Sequence, residues 1–138
     1  PVGDITAEEL ATIETFNASN LGIADLSGIQ YCVNLTSLHL DNNEITDISP
    51  LADLTNLREL DLSGNQITDI SPLADLTNLK GLYLSGNQIT DISPLVANSG
   101  LGEGDGVSLA NNNLDLSDGS EDSENISTLE ARGVVVFL

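Results

Sequence analysis

Apolar residues in this chain fall on a fixed grid. From Leu35 to Leu95 the order is L-x-x-L-x-L-x-x-N-x-I-T-D-I-S-P-L, and NEITDISPLADLTNL at Asn43 to Leu57 returns as NQITDISPLADLTNL at Asn65 to Leu79. It begins again at Asn87, so the period is 22 residues. A repeat of that length marks stacked coils, each unable to bury its own apolar face, rather than a globule with one central core. Full units occupy 35–56, 57–78 and 79–100. A degenerate unit at 13–34 keeps Ile13, Phe16, Ala18, Leu21, Ile23, Leu26 and Ile29 on the grid, although Leu21 stands where the others carry Asn, and an irregular one at 101–117 keeps Val107, Leu109, Asn112 and Leu114. The interval from Leu82 to Val107 is 25 residues rather than 22. Its surplus lies in the glycine-rich stretch 100–106, which reads as a flexible inserted loop. A phosphate cradle there lacks the Lys and the strand-to-helix setting that such loops use.

The grid predicts the elements of one coil. The L-x-L alternation makes a short strand whose leucines face inward and whose intervening residues face out. Asn43, Asn65, Asn87 and Asn112 follow the strands and are placed to stack as a buried hydrogen-bonded ladder. Asp47, Asp69 and Asp91 precede Ser-Pro, a start signal for a return turn too short for a full α-helix, so a 3₁₀ turn is expected. The ends need caps. Thr6-Ala7-Glu8-Glu9 has the form of a capping box, with Ile5, Leu10 and Ile13 on one face of a short helix over residues 1–12. At 118–138, Asp118-Gly119-Ser120-Glu121 precedes a helix that turns Ile126 and Leu129 inward and stops at Arg132-Gly133, and Val134 to Leu138 forms a last strand. The abrupt ending on Phe137-Leu138 suggests a cut from a larger parent or an edge that meets a partner.

Charge changes the picture. The chain of 138 residues carries 22 acidic and 3 basic residues, a net charge of -19, with 40% hydrophobic residues. Nucleic-acid binding, which rests on Lys and Arg neutralising phosphates, is excluded as the default function, as is docking on an anionic membrane. The longest apolar run, Val134 to Leu138, is far short of the roughly 20 residues that cross a bilayer, so no membrane insertion is expected. No signal peptide opens the chain, which implies absence or prior removal. Cys32 is the only cysteine, has no internal disulfide partner and reads as a small buried hydrophobe. The Asp columns Asp25, Asp47, Asp69, Asp91 and Asp53, Asp75 fall on the return turns, away from the strands. A surface this acidic with so little Lys suits a salt-rich setting.

Outward strand positions form the candidate site. The middle column runs Asn17, His39, Asp61, Tyr83, Ser108; beside it stand Ser37 and Glu59 on one side and Asp41 on the other; Arg58 and Lys80 stack at the strand starts. Tyr and Arg are favoured binding anchors, so His39, Arg58, Glu59, Asp61, Lys80, Tyr83, Ser37, Asp41 and Ser108 are the candidate partner-binding residues. The alternative is that Arg58 and Lys80 only neutralise Glu59, Asp61 and Asp41. A hydrolase can also be assembled from Ser37 or Ser63, His39 and Asp61, but an open sheet supplies neither an enclosed pocket nor an oxyanion hole, and no enzyme is expected. The acidic run containing Asp115, Asp118, Glu121 and Asp122 could attract Ca²⁺, although it lacks the EF-hand order; the alternative is a solvated cap. No motif asks for a cofactor. Asn17, Asn34 and Asn125 have the form of glycosylation acceptors.

The repeat resembles the leucine-rich-repeat family, more narrowly the 22-residue bacterial type of internalins. The resemblance implies an α/β repeat solenoid, right-handed and curved. Short parallel strands line its concave face and 3₁₀ turns its convex face, between a helical N-terminal cap and a helix–strand C-terminal cap. It implies one leucine-rich-repeat domain over 1–138, extracellular or on a bacterial or archaeal cell surface and part of a larger multidomain chain, that binds a protein. A structural spacer or assembly unit is the alternative. Internalin-type caps are longer than the residues before Thr6 allow, so part of that cap is expected to be missing.

Overall fold

The computed structural model describes residues 5–138. The first residues of the expected N-terminal cap, 1–4, lie outside the described ones. Six strands, β1 (Thr15–Asn17), β2 (Ser37–His39), β3 (Glu59–Asp61), β4 (Gly81–Tyr83), β5 (Gly106–Ser108) and β6 (Val135–Phe137), form one parallel sheet in chain order. Register follows the repeat: Leu38, Leu60, Leu82, Val107 and Val136 pair successively along the sheet. In the full repeats each strand is three residues long and centres on the first leucine of the L-x-L segment, with an outward residue on either side.

The core is a set of columns rather than a centre. Leu35, Leu38, Leu40, Ile45, Ile48, Leu51 and Leu54 of one coil are at most 1% exposed, as are their equivalents Leu57 to Leu76 in the next. Burying each such side chain contributes roughly 1.5–3 kcal/mol. The stack is therefore held by contacts between neighbouring coils, and its weakest places are its ends. At the N-terminal end Phe16 is 41% exposed although it lies on the apolar grid, and Leu21, which stands where the later coils carry Asn, is 67% exposed. Helix α1 (Ala7–Leu10) has its capping box, with Thr6 Oγ1 accepting the Glu9 N–H and Glu9 accepting the Thr6 N–H, but it buries no residue fully.

Two asparagine ladders tie the coils. In the first, Asn65 Oδ1 accepts the Ile45 N–H at 3.0 Å while Nδ2 donates to the carbonyls of Leu40 and Leu62, each at 3.0 Å. Asn43, Asn87 and Asn112 repeat the pattern one coil apart. A second ladder was not anticipated: Asn34, Asn56 and Asn78 donate to the carbonyls of Ala11, Val33 and Thr55 in the preceding coil. Just past each strand the chain turns through positive φ, at Asn20, Asn42, Gly64, Gly86 and Asn111. Only Gly and Asn enter that region readily, which explains their alternation at this position.

On the convex side the return turns Ile29–Tyr31, Ser49–Leu51 and Ser71–Leu73 are 3₁₀, as expected. The next, α2 (Ser93–Ala97), is a turn of α-helix instead. There the A-D-L-T-N continuation is replaced by Val96-Ala97-Asn98-Ser99-Gly100, and the fully buried Asn98 donates to the carbonyls of Leu73 and Leu76. The glycine-rich stretch is packed rather than a free loop: Leu101 and Asp105 are 2% and 3% exposed, and the Gly104 N–H bonds to the Gly133 carbonyl. Gly100 is required by proximity, since a Cβ there would lie 1.9 Å from the Thr77 carbonyl oxygen. Helix α3 (Glu121–Ala131), capped by Ser120, covers the last coil with Ile126 and Leu129.

Candidate binding face on the concave sheet

Register places the outward residues in rows. His39 stands opposite Asp61, Asp61 opposite Tyr83 and Tyr83 opposite Ser108, with Ser37, Glu59 and Gly81 in the row beside them. Neighbouring strands are about 4.8 Å apart, so each row is a contiguous strip of side chains. Ser37, His39, Asp41, Asp61 and Ser108 are half-buried, and Glu59 and Tyr83 are exposed. The Tyr83 ring lies over Gly81, whose missing side chain leaves room for it: a Cβ there would be 3.5 Å from the ring.

The polar centre of the face is His39, Asp41 and Asp61, whose ligand-type atoms all lie within 4.8 Å of one another. The Ser37 Oγ is 3.2 Å from His39 Nε2. Asp41 accepts from the Ser19 hydroxyl and from Asn42 Nδ2, and Asp61 Oδ1 accepts the Ser63 N–H at 3.0 Å. The Ser108 hydroxyl is bonded to that of Ser85.

The two basic residues behave differently from the centre and from each other. Lys80 pairs with Asp105 at 3.3 Å, and Asp105 is buried and also accepts the Gly102 N–H. Its partner is thus none of Glu59, Asp61 and Asp41. The pairing was legible in principle, because Asp105 follows Lys80 in the strand-start column. Arg58 makes no ion pair among the described residues; with Glu14, Asn34, Thr36, Asn56 and Asn78 it lines an open cavity of about 300 Å³. The two basic residues stand at the starts of β3 and β4, and neither pairs with the His39 centre.

Ser37, His39 and Asp61 do come together, as the types of a hydrolase would. Ser37 and His39 share one strand of an open sheet, and neither lines any of the four cavities described.

On the opposite side the Asp column that begins at Asp25 is structural. Asp25, Asp47, Asp69, Asp91 and Asp115 each accept the N–H of the Ser two residues on. These bonds favour the charged form, so the carboxyls of Asp47 and Asp69 are held below the ordinary range, first by the backbone N–H and then by the hydroxyl of the following Ser. Those of Asp25 and Asp115 are lowered first by the Ser hydroxyl and then by its N–H. Asp115 is therefore one more copy of the repeat's turn, a role its D-L-S sequence shares with Asp25. Asp122 is buried and accepts the Asp115 N–H at 3.0 Å. The candidate Ca²⁺ run is thus partly consumed by capping bonds, and Asp115, Asp118, Glu121 and Asp122 do not converge as the His39 group does. Of the three glycosylation-type asparagines, Asn125 has a buried Nδ2.

A parallel sheet with one short strand per coil, a buried asparagine ladder and tight return turns together define a leucine-rich-repeat solenoid, right-handed and curved. The sequence matches the family described as Leucine Rich repeats (2 copies) over residues 12–53 and 55–97, and the chain belongs to that family. It is of the internalin type. An internalin (inlF) of Listeria monocytogenes superposes with a TM-score of 0.70 at 30% identity, covering 96% of this chain and 49% of that one. Internalin C2 of the same species gives 0.61 at 36% identity, over 96% of this chain and 65% of that one. A leucine-rich-repeat protein of Leptospira interrogans gives 0.60 at 27% identity, over 80% and 27% of the two chains. The chain thus spans about half the length of the first internalin. A sequence search among curated proteins gave no match. Proteins built on this fold generally serve as binding scaffolds, and no described helix is long and apolar enough to cross a membrane.

Proposed function

We propose that this chain is a protein-binding module of a secreted or surface protein, a single domain that presents its concave sheet to a partner. The observation that carries this reading is the row His39, Asp61, Tyr83 on the open sheet, with Arg58 at the start of the strand that carries Asp61. These are polar and aromatic side chains on a rigid sheet, where ordering them on binding costs little conformational entropy. The Asp columns confine much of the negative charge to the convex side, so the mixed-charge face is the distinctive one. The reading is non-enzymatic: nothing on the open sheet excludes water from Ser37 and His39.

The test is capture of a partner from the native host's surface fraction by the immobilised chain. Arg58→Ala with Tyr83→Ala should abolish capture, whereas Asp53→Ala with Asp75→Ala on the convex side should leave it intact. Capture indifferent to the concave changes refutes the face as the binding site and favours a spacer role.

A further inference from the structure

We propose that His39, Asp41 and Asp61 form a binding site for a divalent first-row transition ion of the Zn²⁺ class on the concave sheet. The inference goes beyond partner binding and does not depend on it.

Placement by the backbone comes first. His39 and Asp61 are register partners on adjacent hydrogen-bonded strands, and Asp41 follows His39 by two residues, on the same side. Inward residues Leu38, Leu40, Leu60 and Leu62 are at most 1% exposed, so the sheet beneath the three ligands is anchored. Their ligand atoms lie within 4.8 Å of one another. Zn–N and Zn–O bonds of about 2.0–2.2 Å at tetrahedral angles require ligand atoms about 3.4 Å apart. The remaining difference is within the broad terminal torsions of two carboxylates and an imidazole.

Each ligand also has an outer partner that orients it, the arrangement metal ligands generally need. The Ser37 hydroxyl sits at Nε2 of His39 and leaves the other ring nitrogen available. Asn42 and Ser19 hold Asp41, and the Ser63 N–H holds one oxygen of Asp61, leaving the second oxygen open. Electrostatics point the same way. Asp41, two residues past the end of β2, and Asp61 on β3 are half-buried neighbours, and no basic side chain pairs with either among the described residues, where the ion pair present is Lys80 with Asp105. A bound dication would offset their mutual repulsion.

The donor set decides the metal class. One imidazole with two carboxylates suits Zn²⁺ and its first-row neighbours; Ca²⁺ and Mg²⁺ take all-oxygen sites. Three protein ligands leave a fourth position facing solvent.

His39 is the only histidine in the chain, which makes the test clean. Calorimetric titration of the purified chain with ZnCl₂ should show one equivalent bound with a micromolar dissociation constant, and ¹⁵N spectra should show a His39 ring nitrogen shifting on binding. His39→Gln and Asp61→Asn should each weaken binding at least tenfold, and Asp118→Asn should leave it unchanged. Far-UV circular dichroism checks that the variants keep their fold. Zn²⁺ affinity unchanged in His39→Gln, or abolished by millimolar Mg²⁺ in the unaltered chain, would overturn the proposal in favour of diffuse attraction to an acidic surface.

Discussion

Replacing Asn65 by Ala tests whether the buried ladder holds the coils together. Asn65 is 6% exposed and has three good bonds to backbone groups, besides a long one at 3.4 Å to the Ser63 carbonyl, but the loss is unequal among them. Leu40 O keeps a bond from Asn43 Nδ2 and Leu62 O keeps one from Asn87 Nδ2, whereas the Ile45 N–H has Asn65 Oδ1 as its acceptor. One buried donor is therefore orphaned, at about 1–3 kcal/mol, and two carbonyls each lose one bond, at about 0.5–1.5 kcal/mol apiece. The expected destabilisation is about 2–6 kcal/mol on that accounting. Asn112 makes the same pattern of bonds near the end of the stack, where it is only half-buried and water can replace what is lost. Asn112→Ala should cost about 1–2 kcal/mol. Asn65→Asp should be no better than Ala: it keeps an acceptor for Ile45 but faces a carboxylate toward two carbonyl oxygens. Urea unfolding followed by circular dichroism measures all three variants, and an unchanged m-value reports that the coils still unfold as one unit. A loss below about 1 kcal/mol for Asn65→Ala, or equal losses at Asn65 and Asn112, would refute the reasoning.

Other consequences can be checked on the same protein. The lowered carboxyls of Asp25, Asp47, Asp69 and Asp115 stabilise the fold above their unfolded pKa of about 3.9, and that contribution disappears as pH falls through the lower folded values. The Tm gap between the unaltered chain and Asp69→Ala should therefore be open at neutral pH and close below about pH 4; a gap that widens in acid contradicts the cap assignment. Lys80→Ala leaves buried Asp105 without its cation and should cost about 1–2 kcal/mol, between an exposed and a buried pair, whereas Arg58→Ala should change stability little. Equal effects of the two in thermal melts would show that the pairing is not structural. Gly100→Ala drives a Cβ into the Thr77 backbone and should cost more than 3 kcal/mol by overpacking against rigid atoms, read as lost soluble yield or a much lower urea midpoint, while Gly104→Ala, with nothing within 4 Å, should cost only its positive-φ strain.

Much of this architecture was legible because a repeat reports itself. The 22-residue period located β1 to β4, the inward leucines, the first asparagine ladder and the Asp-Ser-Pro turns, each of which depends on neighbours at fixed sequence distance. What escaped depends on where the repeat fails. Phe16 fits the apolar grid, yet burial needs a coil stacked against it, and the grid says nothing about coverage at an end. Ser93 opens a turn with the same Ser-Pro-Leu as its predecessors, but the residues after Leu95 differ and the turn becomes α2. The glycines at 100–106 suggested flexibility, whereas Gly100 serves a close approach and the segment carries buried Leu101 and Asp105. In the candidate site the rows were readable from alternation alone. Pairing was not: Lys80 reaches across to Asp105, and His39 sits with Asp41 as well as Asp61. The second ladder at Asn34, Asn56 and Asn78 carried a signal in its 22-residue spacing, but the N-L pair that contains it, after Val33 in one coil and after Thr in the other two, looks like an ordinary loop.

The central claim, that the concave sheet is the working face, is tested most directly by photocrosslinking. A crosslinking amino acid is placed at position 83 in place of Tyr83, or at position 75 in place of Asp75, and the purified chain is exposed to the host's surface fraction. The account predicts one discrete adduct from position 83 that is lost with Arg58→Ala, and none from position 75. Discrete adducts from position 75, or an adduct at 83 indifferent to Arg58, would contradict it.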